Sequence, residues 1–514
     1  MQKKLLSGLL WVLLLNLLVK PLWIFGIEVG VQNAVGAEEY GFYFAAFNLA
    51  YIFNILLDLG ITNFNTRSVA QQPGRVMQRM RRMLPLKLVL LGVYLVVTLV
   101  VGLLLPDADA RGMRLLVWIC INQFLSSMLI YLRSNFEGLL MFRADSVLSV
   151  VDRVLMIIIC GGLLLHARGA DVGFRVEWFV GAQTAAYLLA VGTAWVMLRS
   201  KVGRIGLEWS GRAAATVLRK SMPYAVLVLL MAAYNRVDAV MLRAMLPNGN
   251  YESGIYAAAF RMLDALTMVA YLVSVPLLPV FARMTAAEEC GEDDRGELGD
   301  TVWLVFEMLL VYAVVAVLTC VGAAGKLMQL FYGNGSMSAL CGGNGEGELV
   351  QVFSILTCCL LPICFTYVFG TLLTAGGQLR RLNVLAAISL VISVGLNALL
   401  IPRWGCRGSA VAGLVAQGFM AVAQLVVAMR LYAVRPVGRV VWRMAAYVVL
   451  CVGGLLAVQV CWPAGNLGVW CCYALGAVLL AVAMRLIDFK RIAKIMMGGN
   501  AGQPNAATGV AHRK

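Results

Sequence analysis

Apolar runs of about 20 residues recur along the chain, each long enough for an α-helix to cross a bilayer at about 1.5 Å per residue. Read with the short polar stretches between them, they predict membrane helices near 5–27, 41–63, 84–105, 115–138, 146–166, 178–199, 222–244, 254–281, 301–322, 349–375, 383–402, 408–430, 443–462 and 468–487. That is an all-α polytopic membrane protein of about 14 transmembrane helices. The longest loop expected outside, 323–348, is rich in glycine.

A repeat divides the chain. Glu39-Tyr-Gly-Phe-Tyr-Phe-Ala-Ala-Phe-Asn-Leu49 returns as Glu252-Ser-Gly-Ile-Tyr-Ala-Ala-Ala-Phe-Arg-Met262 at an offset of 213 residues, with six of eleven positions identical. Six helices separate the copies, so both enter the membrane from the same side and the halves are parallel repeats. Such halves place a cavity between two six-helix lobes and suit alternating access by rocking. The predicted organisation is an N-terminal lobe over 1–215, a C-terminal lobe over 216–436, two additional helices within 437–487 and a disordered cytoplasmic tail over 488–514. Asn48 and Tyr51 of the first copy become Arg261 and Asp264 in the second, which puts a charged pair on one face of a membrane helix.

Composition agrees: 61% of residues are hydrophobic and 13% charged, with a mean hydropathy of +0.84. With the N-terminus inside, 29 of the 42 Lys and Arg residues fall on inside segments, eight fall outside and five lie within helices. Basic residues resist translocation, so both termini read as cytoplasmic. The net charge of +16 is then a topology signal facing an anionic leaflet, and it gives no support to nucleic-acid binding. The acidic stretch Glu288 to Asp300 reads as a solvated connector, because acidic residues hardly affect orientation. Most of the 13 cysteines lie in apolar runs, where Cys behaves as a small hydrophobe, and with two histidines the chain offers no metal-ligand spacing.

The candidate chemistry is the charge inside the membrane. Lys20 sits about 22 Å into the first helix and Arg236 about 21 Å into the seventh, too deep to snorkel to the inner surface. Arg133, Arg153 and Arg261 complete a set of five candidate substrate-binding cations. Asp58, Glu137, Asp152, Asp238, Asp264 and Glu307 are candidate supporting or ion-coupling acids, with Asp58 read first as a capping or interfacial residue. The structural alternative pairs Arg236 with Asp238, Arg261 with Asp264, and Arg153 with Glu137 or Asp152. An intramembrane charge costs at least about 2.5–3.5 kcal/mol, which favours function over simple bracing. Several cations around one cavity call for an anionic substrate, since arginine forks and lysine ammonium groups match phosphate oxygens. No cofactor or metal is expected, and the coupling ion, Na+ or H+, is left open.

These residues resemble a family. Gly36-Ala-Glu-Glu-Tyr-Gly-Phe-Tyr43, Asp58-Leu-Gly60, Gly254-Ile-Tyr-Ala-Ala-Ala-Phe-Arg261, Pro276-Leu-Leu-Pro-Val-Phe-Ala-Arg283 and Asn397-Ala-Leu-Leu-Ile-Pro-Arg-Trp-Gly-Cys-Arg-Gly408 are similar to bacterial polysaccharide flippases of the Wzx type. These belong to the multidrug/oligosaccharidyl-lipid/polysaccharide (MOP) exporter superfamily, and the resemblance covers roughly residues 5–435. It implies a MATE/MOP-like fold in the bacterial inner membrane. It also implies flipping of an undecaprenyl-pyrophosphate-linked oligosaccharide for capsule, exopolysaccharide or O-antigen synthesis, with membrane lipids, a glycan polymerase and a chain-length regulator as partners. The related lipid II flippases carry an Arg-x-x-acid pair that Arg261-Met-Leu-Asp264 resembles, and their last two helices hold the lipid tail. This chain departs from them in lacking a deep arginine in its second helix and placing Lys20 in the first. A drug/cation antiporter of the same superfamily fits so basic a cavity poorly. A glycosyltransferase would need acidic catalytic residues in an external loop, and a polymerase a large external loop, so a non-enzymatic transporter is expected.

Overall fold

The computed structural model describes residues 18–486, except 63–64, 67–68, 70–73, 75, 106–108, 140, 171, 203–207, 209–210, 275–276, 290–294, 334, 342–346, 433, 435–437 and 463–465. The predicted start of the first helix, the centre of the acidic connector and the expected tail lie outside these residues. Among the described residues the regular structure is helical throughout.

The first apolar run is continuous from Leu18 to Leu57 but breaks at Gly36, whose φ of 82° and ψ of 175° end one helix, α1 (18–35), and start the next, α2 (37–57). The predicted outside loop 28–40 is therefore replaced by a one-residue corner. Its polar residues had read as a loop, yet they sit on helix and find partners across the molecule. Gln32 accepts from the Tyr332 hydroxyl at 2.5 Å, and Asn33 donates to the Phe331 carbonyl at 2.8 Å. Within α1 a π-helical stretch, Leu22–Glu28, follows Pro21, which has no N–H to give the helical ladder.

The N-terminal set continues with α3 (Val76–Leu104), α4 (Ala110–Gly138), α5 (Phe142–Gly169) and α6 (Val176–Val202). Asp109 caps α4 by accepting from the Gly112 N–H at 2.9 Å. The second set comprises α7 (Gly211–Met245), α8 (Gly249–Ser274), α9 (Leu277–Glu289), α10 (Arg295–Gly322), α11 (Ala324–Tyr332), α12 (Ser338–Cys341) and the interrupted α13 (348–375). The run Leu379–Tyr432 again breaks at one glycine, Gly405 with φ 55°, into α14 (379–404) and α15 (406–432). Finally, α16 (Gly438–Cys461) and α17 (Leu467–Ala483) pack on α10. The predicted loop 323–348 thus contains two short helices.

Among the described residues eleven helices are long and apolar enough to cross a membrane, and α17 is a shorter apolar one. The expected fourteen rests on counting each glycine-broken run as two crossings and including α17. Bulky apolar side chains such as Leu104, Val391, Trp442 and Val460 are 79%, 72%, 78% and 81% exposed, a pattern that suits hydrocarbon rather than water. The protein is a multi-pass membrane protein.

Candidate functional site

The two copies of the repeated signature meet. Helix α2 packs along α8, and a Cβ built on Gly41 would lie 1.8 Å from the Asn250 carbonyl oxygen. One built on Gly254 would lie 1.9 Å from the Ala37 carbonyl oxygen. Any side chain at either glycine would collide with backbone, so the repeated glycines are what lets the two halves touch. Phe44, about one turn past Gly41, and Phe260, nearly two turns past Gly254, continue this contact inward with ring centroids 6.2 Å apart. The lobes are thereby sealed against each other at the end of the bundle that carries both signatures.

Beyond this seal lies a cavity of about 410 Å³ bounded by α1, α2, α4–α6, α7 and α8, with Lys20, Arg153, Arg236 and Arg261 in its wall beside Glu28 and Asp264. A second space of about 410 Å³ shares Tyr51, Arg236, Asp264, Thr267 and Tyr367 with it and extends toward Asp58 and Asp238. The helical spacing of Lys20, Trp23, Ile24 and Glu28 turns one face of α1 into this wall. Four of the five cations singled out in the sequence, Lys20, Arg153, Arg236 and Arg261, thus line one chamber. Arg133 stays out of it, paired with Asp145 at 2.8 Å between α4 and α5.

The charges form a chain across the lobes. Arg261 Nε lies 3.3 Å from Glu28 Oε2, Arg261 Nη1 lies 3.4 Å from Asp264 Oδ2, and Arg236 Nη2 lies 3.8 Å from Asp264 Oδ1. The guanidinium of Arg236 is held between the rings of Tyr51 and Phe260, 5.0 and 4.8 Å from their centroids, and Arg261 lies over Phe44 and Phe47. Tyr51, uncharged where its repeat partner Asp264 is charged, thus supplies a ring face instead. Arg153 pairs with Asp152 at 3.5 Å and covers Trp23, as one structural alternative anticipated; no contact to Glu137 forms.

The alternative pairing of Arg236 with Asp238 does not form, since Arg236 turns to Asp264. Asp238 is 3% exposed and accepts hydrogen bonds from the Tyr256 hydroxyl at 2.8 Å, Asn397 Nδ2 at 2.7 Å and the Ser393 hydroxyl at 3.5 Å. No cation pairs with it among the described residues. Neighbouring Asn235 receives a short hydrogen bond from Gln417. Asp58 ends α2, where Leu59 and Gly60 take φ of 43° and 80°, and its carboxylate accepts from Thr62, as the capping reading expected. It also pairs with Lys87 of α3 at 2.9 Å. Glu137 accepts from the Thr66 hydroxyl at 3.3 Å, and Glu307 pairs with Arg443 of α16 at 3.6 Å; neither reaches the chamber.

Two buried, paired charges, Glu28 and Lys87, escape the sequence reading. Glu28 falls at a predicted helix end and reads as loop, although its one-turn spacing from Ile24 carries the signal. Lys87 falls three residues into a predicted helix and counts with the inside loop, yet it is fully buried. At the sealed end Arg111 bridges Glu39 and Glu177 at 2.7 and 2.8 Å. In the other lobe Glu252, Glu348 and Cys406 place donor atoms within 4.8 Å of one another. Glu252 there accepts from the Cys406 N–H at 2.8 Å, capping α15, and Glu348 faces Arg407 at 3.8 Å, so these donors already have partners.

A family model described as polysaccharide biosynthesis protein matches residues 5–285. No curated protein matches the chain by sequence. Among solved structures, the lipid II flippase MurJ in an inward closed conformation superposes with a TM-score of 0.67 at 11% identity, covering 94% of this chain and 99% of its own. An inward-facing multidrug resistance MATE family transporter of the MOP superfamily gives 0.62 at 15% identity, covering 80% and 94%. A MOP superfamily transporter from Pyrococcus furiosus, described by a binding pocket of reverse polarity, gives 0.54 at 14% identity, covering 84% and 96%. At these identities the likeness speaks to the fold alone. The family match spans more than half of the 514 residues, and the chain belongs to the polysaccharide biosynthesis protein family, built on the fold of MOP superfamily transporters.

Proposed function

We propose that this protein flips an undecaprenyl-pyrophosphate-linked oligosaccharide from the inner to the outer leaflet of the bacterial inner membrane, for capsule, exopolysaccharide or O-antigen synthesis. One observation carries the reading: a chamber between two lobes, sealed at one end, in which Lys20, Arg153, Arg236 and Arg261 outnumber Glu28 and Asp264. Such a lining favours an anion, and guanidinium forks fit phosphate oxygens. Asn122, Gln123, Gln183 and Tyr187 in the same wall offer donors and acceptors suited to sugar hydroxyls. The basic bias of the loops supports cytoplasmic termini, which puts the sealed signature end on the outer side and makes this an inward-directed arrangement.

Transport then follows from rocking of the lobes about the chamber, with cargo taken up from inside and the seal parting to release it outside. Asp238 is the acid best suited to take up the coupling H+ or Na+, because it is buried, hydrogen-bonded only by neutral groups and without a cationic partner among the described residues. A glycan polymerase and a chain-length regulator are the partners that such an export step would feed.

The test is reconstitution in proteoliposomes with a fluorescent undecaprenyl-pyrophosphate oligosaccharide, following its appearance in the opposite leaflet. Lipid II and a cationic dye serve as rival cargoes. Faster movement of lipid II than of the oligosaccharide would make this a lipid II flippase, and movement of the dye alone would make it a drug exporter. Sugar transfer or polymerisation without flipping would make it an enzyme.

A further inference from the structure

Resting on that reading, we propose that Glu28 is a displaceable stand-in for the cargo's diphosphate on Arg261, and that its displacement loosens the seal between the lobes. Glu28 belongs to α1 in one lobe and Arg261 to α8 in the other, so the 3.3 Å contact ties the halves together. It lies about two helical turns before the Gly36 corner, on the approach to the sealed end. The side chains are 7% and 11% exposed. Glu28 Oε2 and Arg261 Nε nevertheless make no hydrogen bond, so what joins them is charge without good alignment.

A misaligned pair of this kind is open to exchange. Charge-assisted bonds to phosphate are stronger when two N–H groups bind in parallel, and Arg261 would give up its 3.4 Å contact to Asp264 in exchange. Once a diphosphate occupies Arg261, Glu28 is left as a buried carboxylate facing a dianion, and like charges at close range repel. Arg261 also lies over Phe44 and Phe47 of α2, so moving it disturbs the helix that makes the Gly41 contact. Diphosphate binds better once Glu28 has withdrawn, and that difference in affinity is what lets cargo shift the lobes toward parting. An unloaded chamber keeps Glu28 on Arg261 and stays sealed.

The experiment uses full-length protein in nanodiscs on a cysteine-depleted, export-competent background, spin-labelled at Glu38→Cys and Tyr251→Cys, both exposed near the seal. Undecaprenyl pyrophosphate and inorganic pyrophosphate are added in separate arms, with affinity and label distance measured for the unmodified Glu28 and for Glu28→Gln. The expected result is a longer distance on adding the lipid, and for Glu28→Gln a longer distance without ligand and binding at least about tenfold tighter. Inorganic pyrophosphate acting like the lipid supports recognition of diphosphate alone; its failure beside a working lipid supports a lipid-borne source. Lipid binding without any change in distance overturns the proposal, as does unchanged or weaker binding by Glu28→Gln, and both leave the flippase reading intact. Absence of lipid binding to the unmodified site sinks that reading and the proposal with it. If Glu28→Gln does not reach the membrane, Glu28→Asp, with its shorter reach, must bind with intermediate tightening, and the distance change at unmodified Glu28 decides independently.

Discussion

Gly41 and Gly254 face each other across the lobe interface with no space for a methyl group: a Cβ on Gly41 would come within 2.5 Å of the Gly254 nitrogen. The repeat thus explains its own glycines, because each copy is the surface on which the other closes. Gly41→Ala and Gly254→Ala should each destabilise the sealed conformation by about 1–3 kcal/mol, the usual cost of overpacking a tight contact. Export should fall at least about fivefold, since 1.4 kcal/mol is a tenfold change in an equilibrium, while membrane abundance stays near normal. Surface glycan and an immunoblot of the membrane fraction check this, and full export by Gly41→Ala would show that closure at this contact is dispensable.

Lys87 and Asp58 give a second prediction. Lys87 is fully buried, held by Asp58 at 2.9 Å and by the Ser127 hydroxyl at 2.9 Å, with the Tyr131 ring 5.4 Å away. Removing one partner leaves an uncompensated charge, so Asp58→Leu should cost about 3–5 kcal/mol, whereas Asp58→Leu with Lys87→Met should recover most of it. Thermal unfolding in detergent measures both. Equal loss in the single and double variants would refute a mainly electrostatic coupling.

The helical fold and the two-lobe organisation were legible because hydrophobic period is a local signal and a repeat can be read along the chain without knowing which helices pack together. Pairing was not legible, because it depends on which helices become neighbours. Arg236 has Asp238 two residues away in sequence, yet ring stacking on Tyr51 and Phe260 turns it to Asp264 on another helix. Glu28, Gln32 and Asn33 read as a polar loop because their partners, Arg261, Tyr332 and the Phe331 carbonyl, come from the other half of the chain. One-residue corners at Gly36 and Gly405 were hidden for a similar reason, since a single positive φ leaves no run of turn residues behind it.

Asp238→Asn tests ion coupling. The amide keeps the size of the carboxylate and can still accept from Tyr256, so the packing of α7 against α14 should survive. Cargo binding should therefore be retained within about twofold, while concentrative transport driven by an imposed Na+ or H+ gradient falls by about tenfold or more, the scale of one 1.4 kcal/mol coupling term. Proteoliposomes with either gradient alone identify the ion. Unaltered gradient dependence would assign coupling to another acid.

Arg261 provides the most direct test of cargo recognition, and its surroundings decide how the variant must be built. Replacing Arg261 and Asp264 together would leave Glu28 without its cation, because Arg261 is shared between the two acids. Replacing Arg261 by Met and Glu28 by Leu removes a complete pair and leaves Asp264 facing Arg236 at 3.8 Å. Exchanging a whole buried pair for apolar residues of similar size is often neutral or stabilising, so this double variant should be as abundant in the membrane as the native protein. It should export less than about a tenth of the normal glycan, because a phosphate fork worth about 1.5–3 kcal/mol is gone. Arg261→Lys keeps the charge but loses the fork, and should retain partial export. Normal export by an abundant double variant would remove Arg261 from the cargo site, and Arg261→Lys export no better than that of the double variant would show that geometry, more than charge, is what the site requires.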